Sequence, residues 1–261
     1  MKIKCSFLFV LLSIAFLVKA QDKSLYKKEI YVSGIDTLPY RILLPLNYDA
    51  SKKYPLILML HGAGERGNNN EAQLMHGSTL FLKDSIRENY PAIVIFPQCP
   101  ANSFWSNVQF RFDTATKKRS LEFQAGGEPT IAMKLAQELL FKIIDEYPVS
   151  KKQIYVGGLS MGGMGTFEIV RRNPKLFAAA FPICGGGATA TAATIKKVKW
   201  WVFHGDSDSV VPSMLSKEMV SALKAAGADV KFSLYHGVDH NSWDNAFAEP
   251  DLIPWLFSNH K

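Results

Sequence analysis

Six stretches of this chain are apolar with little or no alternation: Leu56-Ile57-Leu58-Met59-Leu60, Ala92-Ile93-Val94-Ile95-Phe96, Ile154-Tyr155-Val156, Ala178-Ala179-Ala180-Phe181, Trp200-Trp201-Val202-Phe203 and Val230-Lys231-Phe232-Ser233-Leu234-Tyr235. A strand with one wet face alternates, whereas a strand covered on both faces reads as a continuous apolar run. Between these runs lie helical patterns over 81–89, 130–147, 161–172 and 213–226. The clearest sets Ile131, Leu135, Leu139, Ile143 and Ile144 on one face and ends at Pro148. Strands alternating with helices of this length make βαβ units, a parallel sheet with right-handed crossovers and ligands at the strands' C-terminal ends. Two further runs, 29–32 and 40–44, flank a Gly-containing connection and read as an opening antiparallel pair.

Composition narrows the class. The chain has 261 residues, 48% hydrophobic, 12% aromatic and 20% charged, which is enough for a packed core and too apolar for disorder. Three Cys exclude a disulfide scaffold or a zinc ribbon. The formal charge of +7 is partly carried by the first twenty residues. There Lys2 and Lys4 precede an apolar run over 7–18, and Val18-Lys19-Ala20 puts small residues at −3 and −1 of a cleavage site. That run is short of the about 20 residues a spanning helix needs, so 1–20 reads as a secretory signal rather than an anchor or core helix. Cys5 precedes the apolar run and Gln21, not a Cys, stands directly after Ala20, so no lipid attachment is indicated. Losing Lys2, Lys4 and Lys19 and no acid lowers +7 to +4. The remaining bases are scattered, and nucleic acid is not supported as a partner. The expected mature chain, 21–261, is one domain, secreted or periplasmic, with no stable membrane anchor. No linker or repeat divides it. One stretch, 100–127, fits neither pattern and is long enough to be a lid or substrate-binding insertion.

The loops at the strand ends carry the chemistry. Gly158-Leu159-Ser160-Met161-Gly162 joins the Ile154-Tyr155-Val156 strand to a helix, the strand–turn–helix context of a G-x-S-x-G nucleophile elbow. A serine on such a turn needs positive φ and small neighbours, and the helix that follows aims its first amides at the site, so the Met161 N–H is placed to stabilise an oxyanion. A serine hydroxyl also needs a general base oriented by a carboxylate, and on this elbow the chain order is Ser, acid, His. That order leaves His204, His236, His240 and His260. His240 lies in a loop just past the last strand and is preferred, with His236 second. His204 and His61 each end a strand before a Gly and read as structural, and His76 and His260 as surface or structural. For the acid, Asp208 is favoured over Asp206, which is close enough to the strand end to cap the turn, and over Asp239, which points away from the base. The second oxyanion donor belongs to the loop after the third strand, His61-Gly62-Ala63-Gly64-Glu65-Arg66-Gly67, with Ala63 the candidate. Lacking a following Gly-Lys-Ser/Thr, this loop is not a phosphate loop. Glu65 and Arg66 are expected to pair and hold it.

Across nearly the whole mature chain these segments resemble a group within the α/β-hydrolase superfamily, the secreted phospholipase/carboxylesterase-like proteins also called predicted peptidases. They are related to carbohydrate esterase family 1 and dienelactone-hydrolase-like esterases. The resemblance runs through Leu38-Pro39-Tyr40-Arg41, Tyr54-Pro55-Leu56-Ile57, the 61–67 loop, Phe96-Pro97-Gln98-Cys99-Pro100, Gly158 to Gly163, Pro182-Ile183-Cys184-Gly185-Gly186, Phe203-His204-Gly205 and His240-Asn241-Ser242-Trp243-Asp244. It departs at Phe104-Trp105-Ser106, where members often carry two Trp. The resemblance implies a mostly parallel sheet of about eight strands with helices on both faces. It also implies nucleophile Ser160, acid Asp208, base His240 and oxyanion amides at Ala63 and Met161. It implies a serine esterase acting through an acyl-enzyme, without metal or organic cofactor, on small-molecule or polysaccharide-linked esters such as feruloyl or acetyl groups of plant polysaccharide. Trp105 and Trp243 are the candidates for stacking on such a substrate. A serine peptidase of the prolyl-oligopeptidase type and a non-catalytic hydrolase-fold binding protein are the alternatives. In the superfamily's strand order, 1-2-4-3-5-6-7-8, Cys99 and Cys184 fall three strand spacings, roughly 14 Å, apart, beyond the ~7 Å limit for a disulfide, so two free thiols are expected.

Overall fold

A computed structural model describes residues 22–114 and 118–261, and the expected signal segment with its Val18-Lys19-Ala20 site lies outside the described residues. The chain opens with β1 (Lys27–Ser33) and β2 (Asp36–Leu43), a hairpin in which Ser33 pairs Asp36. It continues through β3 (Tyr54–Leu60), α1 (Asp84–Asn89) and β4 (Ile93–Pro97). The 100–127 stretch holds β5 (Val108–Asp113) and β6 (Lys118–Phe123), followed by α2 (Ile131–Glu146). Then come β7 (Val149–Leu159), α3 (Met161–Arg172), β8 (Ala179–Ile183) and the short α4 (Ala192–Ile195). The chain ends with β9 (Lys199–Gly205), α5 (Met214–Ala225), β10 (Val230–Tyr235), α6 (Trp243–Ala248) and α7 (Leu252–Ser258).

Eight strands form one sheet in the order β1-β2-β4-β3-β7-β8-β9-β10, antiparallel at β1/β2/β4 and parallel from there on. With the β5–β6 hairpin set apart as its own two-stranded sheet, this is the 1-2-4-3-5-6-7-8 order the resemblance implies. Every residue of β3, β4 and β8 is buried, which is why their sequences do not alternate. The pleat still separates two cores. Leu56, Leu58 and Leu60 of β3 pack on one face with Leu135, Leu139 and Ile143 of α2, Ile169 of α3 and Leu223 of α5. Ile57 and Met59 point to the other face with Phe81, Ala246 of α6 and Leu252 and Leu256 of α7.

Two elements differ from the sequence reading. The helix expected over 81–89 begins only at Asp84, because Lys83 is extended (φ −62, ψ 129) and the buried Leu80–Leu82 forms a separate 3-10 turn. The 100–127 insertion is a hairpin, with Val108 opposite Phe123 and Asp113 opposite Lys118. It is anchored to α2 by Thr130, whose Oγ1 accepts from the Met133 amide at 3.2 Å as the helix cap and donates to Phe104 O at 2.6 Å. The loops that carry the candidate residues, after β3, β7, β9 and β10, all leave the C-terminal edge of the parallel strands.

Candidate active site

Ser160 stands between β7 and α3 with φ 54 and ψ −116, a left-handed conformation that costs a side-chain-bearing residue roughly 1–3 kcal/mol. Its amide donates to Ile183 O at 2.9 Å and its carbonyl accepts from the Met164 amide at 3.0 Å, so two elements hold the turn. The turn lies tight on β3. A Cβ at Gly162 would come within 1.9 Å of Leu60 O, so no larger residue fits there. Met161 is the first residue of α3, and its amide is one of those with no partner inside the helix.

His240, in the loop between β10 and α6, places Nε2 3.0 Å from Ser160 Oγ and Nδ1 2.8 Å from Asp208 Oδ2. With Nδ1–H donating to the carboxylate, Nε2 is free to accept the serine proton. Asp208 lies on the loop after β9. Burial pushes its carboxyl up, but hydrogen bonds from His204, His240 and the Val211 and Val210 amides outweigh that and hold it well below the usual carboxylate range. The other candidates are set apart. Asp206 accepts from His236 Nδ1 at 2.8 Å and the Gly237 amide at 2.7 Å, with His236 exposed. Asp239 is turned to Ser209, accepting from its amide at 2.7 Å.

His204 has a place that its position at a strand end did not reveal. Its ring is fully buried, with Nδ1 2.7 Å from Ser216 Oγ and Nε2 facing two oxygens, Val211 O at 2.9 Å and Asp208 Oδ2 at 3.2 Å. Nε2 therefore carries a hydrogen, and one carboxylate oxygen receives both His204 and His240. The four-residue spacing from His204 to Asp208, across a tight turn, is the sequence signal for this contact.

The loop after β3 reaches the same point. A Cβ at Gly62 would come within 3.7 Å of the Ser160 Cβ, so the Gly62–Ala63 peptide borders Ser160. Ala63 then begins a 3-10 turn over Ala63–Glu65. His61 supports the loop from below, Nδ1–H donating to Gly62 O at 2.6 Å and Nε2 accepting from the Cys99 amide at 2.9 Å. Burial lowers its pKa to about 4, so the ring is a neutral strut. The expected Glu65–Arg66 pair does not form. Arg66 donates instead to Ala63 O and Ser103 O at 3.1 and 3.3 Å, and Glu65 turns toward His76, 3.8 Å away.

Trp105 is fully buried, so it offers no stacking face to a substrate. Its Nε1–H donates to His61 O at 3.1 Å and its ring meets the His61 ring edge-on at 5.4 Å, which satisfies both its polar and its apolar parts inside the protein. The aromatic residues that do face the site are Phe104 and Phe110, edge-to-face at 5.4 Å. Trp243 is half-buried, its ring packed edge-on against His240 at 5.3 Å.

Above Ser160 and Ala63 opens a cleft of about 680 Å³. Its walls are Phe104, Phe110 and Leu121 from the 100–127 stretch, Met164 from α3, Val210 from the β9–α5 connection and Leu215 from α5. Both Cys99 and Cys184 are buried and free, as the strand order implies. Cys184, Asp208 and His240 bring three ligand-type atoms within 4.8 Å of one another, but the last two already bond each other and burial pushes the thiol up to about 12. No helix of the described residues is long and apolar enough to cross a membrane.

Comparison with known proteins bears on this geometry. The Phospholipase/Carboxylesterase family model matches residues 47–249. An endo-1,4-beta-xylanase/feruloyl esterase of Xylanibacter ruminicola is 25% identical over 244 residues, 85% of this chain and 31% of that protein. Lysophospholipase-like protein 1 of Mus musculus is 26% identical over 70% of this chain and 79% of its own. The crystal structure of a thermostable esterase superposes with TM-score 0.81 at 33% identity, covering 91% of this chain and 64% of that one. The chain thus spans about a third of the length of the bacterial relative and less than two thirds of the solved esterase.

Proposed function

The chain belongs to the phospholipase/carboxylesterase family of α/β-hydrolase fold, and from that premise we propose that it is a carboxylic ester hydrolase acting through an acyl-enzyme. The observation that carries the reading is the unbroken chain from Ser160 Oγ through His240 to Asp208, 3.0 and 2.8 Å long, opening into an apolar cleft. Ser160 Oγ attacks the ester carbonyl while His240 Nε2 takes the hydroxyl proton, and Asp208 holds the ring in the tautomer that can accept it. The carbonyl oxygen, now negative, receives the amides of Ala63 and Met161. Each such donor is worth about 10²–10³ in rate where it has been removed from other enzymes. His240 then passes the proton to the leaving alcohol. Water, deprotonated by the same ring, releases the acid from Ser160.

The substrate class we propose is an acyl ester of plant polysaccharide, feruloyl ahead of acetyl. Two observations support it. The walls Phe104, Phe110, Leu121 and Met164 would cover the faces of a flat aromatic acyl group, for which an acetyl group leaves most of the cleft empty. The Xylanibacter ruminicola relative is named for feruloyl esterase activity joined to a xylanase. The hydrolase domain takes up 21–261 with the 100–127 hairpin as its substrate-binding insertion, and 1–20 directs secretion.

The test is a panel of p-nitrophenyl acetate, methyl ferulate, acetylated xylan, a long-chain p-nitrophenyl ester and a peptide amide, each with Ser160→Ala beside the parent. Methyl ferulate as the best substrate, lost in Ser160→Ala, is the expected result. A Ser160→Ala variant as active as the parent overturns the nucleophile. Preference for the long-chain ester moves the substrate toward the lysophospholipase-like relative, and preference for the amide moves it to a peptidase.

A further inference from the structure

A second depression, of about 260 Å³, shares no residue with the cleft and adjoins His240 through Trp243. Its sides come from the segment between β3 and α1, with His76, Thr79 and Lys83, and from α6, with Trp243, Asp244 and Phe247. It differs from the cleft, whose lining is mostly apolar and carries no charged side chain. Here an aromatic ring lies among two potential cations, a carboxylate and a hydroxyl. Several of these groups are held. His76 lies tilted against Trp243, at 46° with centroids 5.0 Å apart, and has Glu65 3.8 Å away, and Asp244 accepts from Asn241 Nδ2 at 3.2 Å.

The mechanism divides an ester between the two depressions. The carbonyl oxygen must point to the amides of Ala63 and Met161, so the acyl group lies in the cleft those residues line. The alkoxy oxygen must reach His240 Nε2 to take its proton, so the alcohol lies on the His240 side. Trp243 lies edge-on to that ring at 5.3 Å and lines the second depression. A ring with apolar C–H faces and a rim of hydroxyls matches this groove, an aromatic platform with donors and acceptors around it. Lys83 and Asp244 together carry no net charge, so the groove does not select an anionic headgroup.

We propose that this groove is an alcohol-side subsite for a sugar, with Trp243 as its platform and His76, Lys83 and Asp244 as hydrogen-bonding partners of the hydroxyls. It rests on the ester-hydrolase reading. It distinguishes esters by what leaves, where the cleft distinguishes them by what stays on Ser160.

The experiment uses one acyl group on three alcohols, methanol, arabinose and glycerophosphocholine, and reads the ratio of kcat/KM between them. Reading a ratio cancels any general damage to His240. The full-length enzyme is expected to favour the arabinose ester over the methyl ester, and Trp243→Ala and Asp244→Ala each to lower that preference about tenfold. Trp243→Phe, which keeps a ring, is expected to recover most of it. An arabinose-to-methyl ratio within about twofold of the parent in both alanine variants overturns the subsite while the esterase reading stands. So does a larger loss on the glycerophosphocholine ester, which would make the groove a lipid-headgroup site. If the folded parent turns over none of the three esters, the hydrolase reading is lost and the subsite with it.

Discussion

A single oxygen of Asp208 faces two imidazoles, His240 at 2.8 Å and His204 at 3.2 Å, while the other oxygen takes two backbone amides. Four donors converge on one carboxylate, and that fixes its orientation as well as its charge. His204 never approaches Ser160, so its part is to position Asp208. In His204→Gln we expect kcat to fall about tenfold with little change in KM, the size of one hydrogen bond to a charged group. Steady-state kinetics check this, and a KM rise without a kcat loss would show that His204 acts on substrate binding instead. His61 poses the opposite problem, a ring buried neutral. Its folded pKa lies near 4 against 6.5 when exposed. Below 6.5 the unfolded chain takes up a proton that the folded ring refuses, so stability is fullest above 6.5 and drains as the pH falls toward 4. Between pH 7 and pH 5 this group should remove about 2 kcal/mol. Urea denaturation at the two pH values should show a loss smaller by that amount in His61→Gln than in the parent, and equal losses would deny the neutral strut.

The β5–β6 hairpin is the element that the sequence announced least clearly. Val108-Gln109-Phe110-Arg111-Phe112 does alternate, as a half-wet strand should, but in its partner only Ser120-Leu121-Glu122-Phe123 does, since Lys118-Arg119-Ser120 is polar throughout. No Asn-Gly or Asp-Gly joins them, so the usual hairpin signal is missing. The same stretch shows why Trp105 misled. Here Phe104 takes the cleft while its neighbour Trp105, in a bend, goes to the core. Which of two neighbouring aromatics is wet depends on the surface the segment lies upon, and that surface comes from α3 and the 61–67 loop, far away in sequence. Phe110 is 64% exposed, an apolar ring held out at the cleft mouth. Covering it with an aromatic acyl group is worth roughly 1.5 kcal/mol or more. Phe110→Ala should therefore cut the selectivity for methyl ferulate over p-nitrophenyl acetate about tenfold. Unchanged selectivity would mean that the hairpin is a cover without a binding role.

At the scale of the whole molecule, one sheet separates two cores, and each free thiol belongs to a different one. Cys99, at the end of β4, packs with the α2, α3 and α5 face, and Cys184, at the end of β8, with the α6 and α7 face. The sheet was readable from the apolar runs because burial on both faces erases alternation, and the order of its strands is the one the resemblance implied. Which helices cover which face was not readable, since the pleat assigns Leu58 and Met59 to opposite cores only once register is known. The thiols turn that arrangement into a measurement. Burial pushes both up to about 12, so in the folded protein neither should react with a disulfide reagent at pH 8. If the domain unfolds as one unit, Cys99 and Cys184 should become reactive along a single denaturant transition, because opening either face strips the shared strands. Two separate transitions would mean that the layers come apart independently. The total counted in full denaturant without reductant is a further readout. A chain cut after Ala20 yields two thiols, whereas one that keeps its first residues yields three, because Cys5 is retained. Protein purified from the medium or periplasm should give two, and a count of three there would refute cleavage at that site.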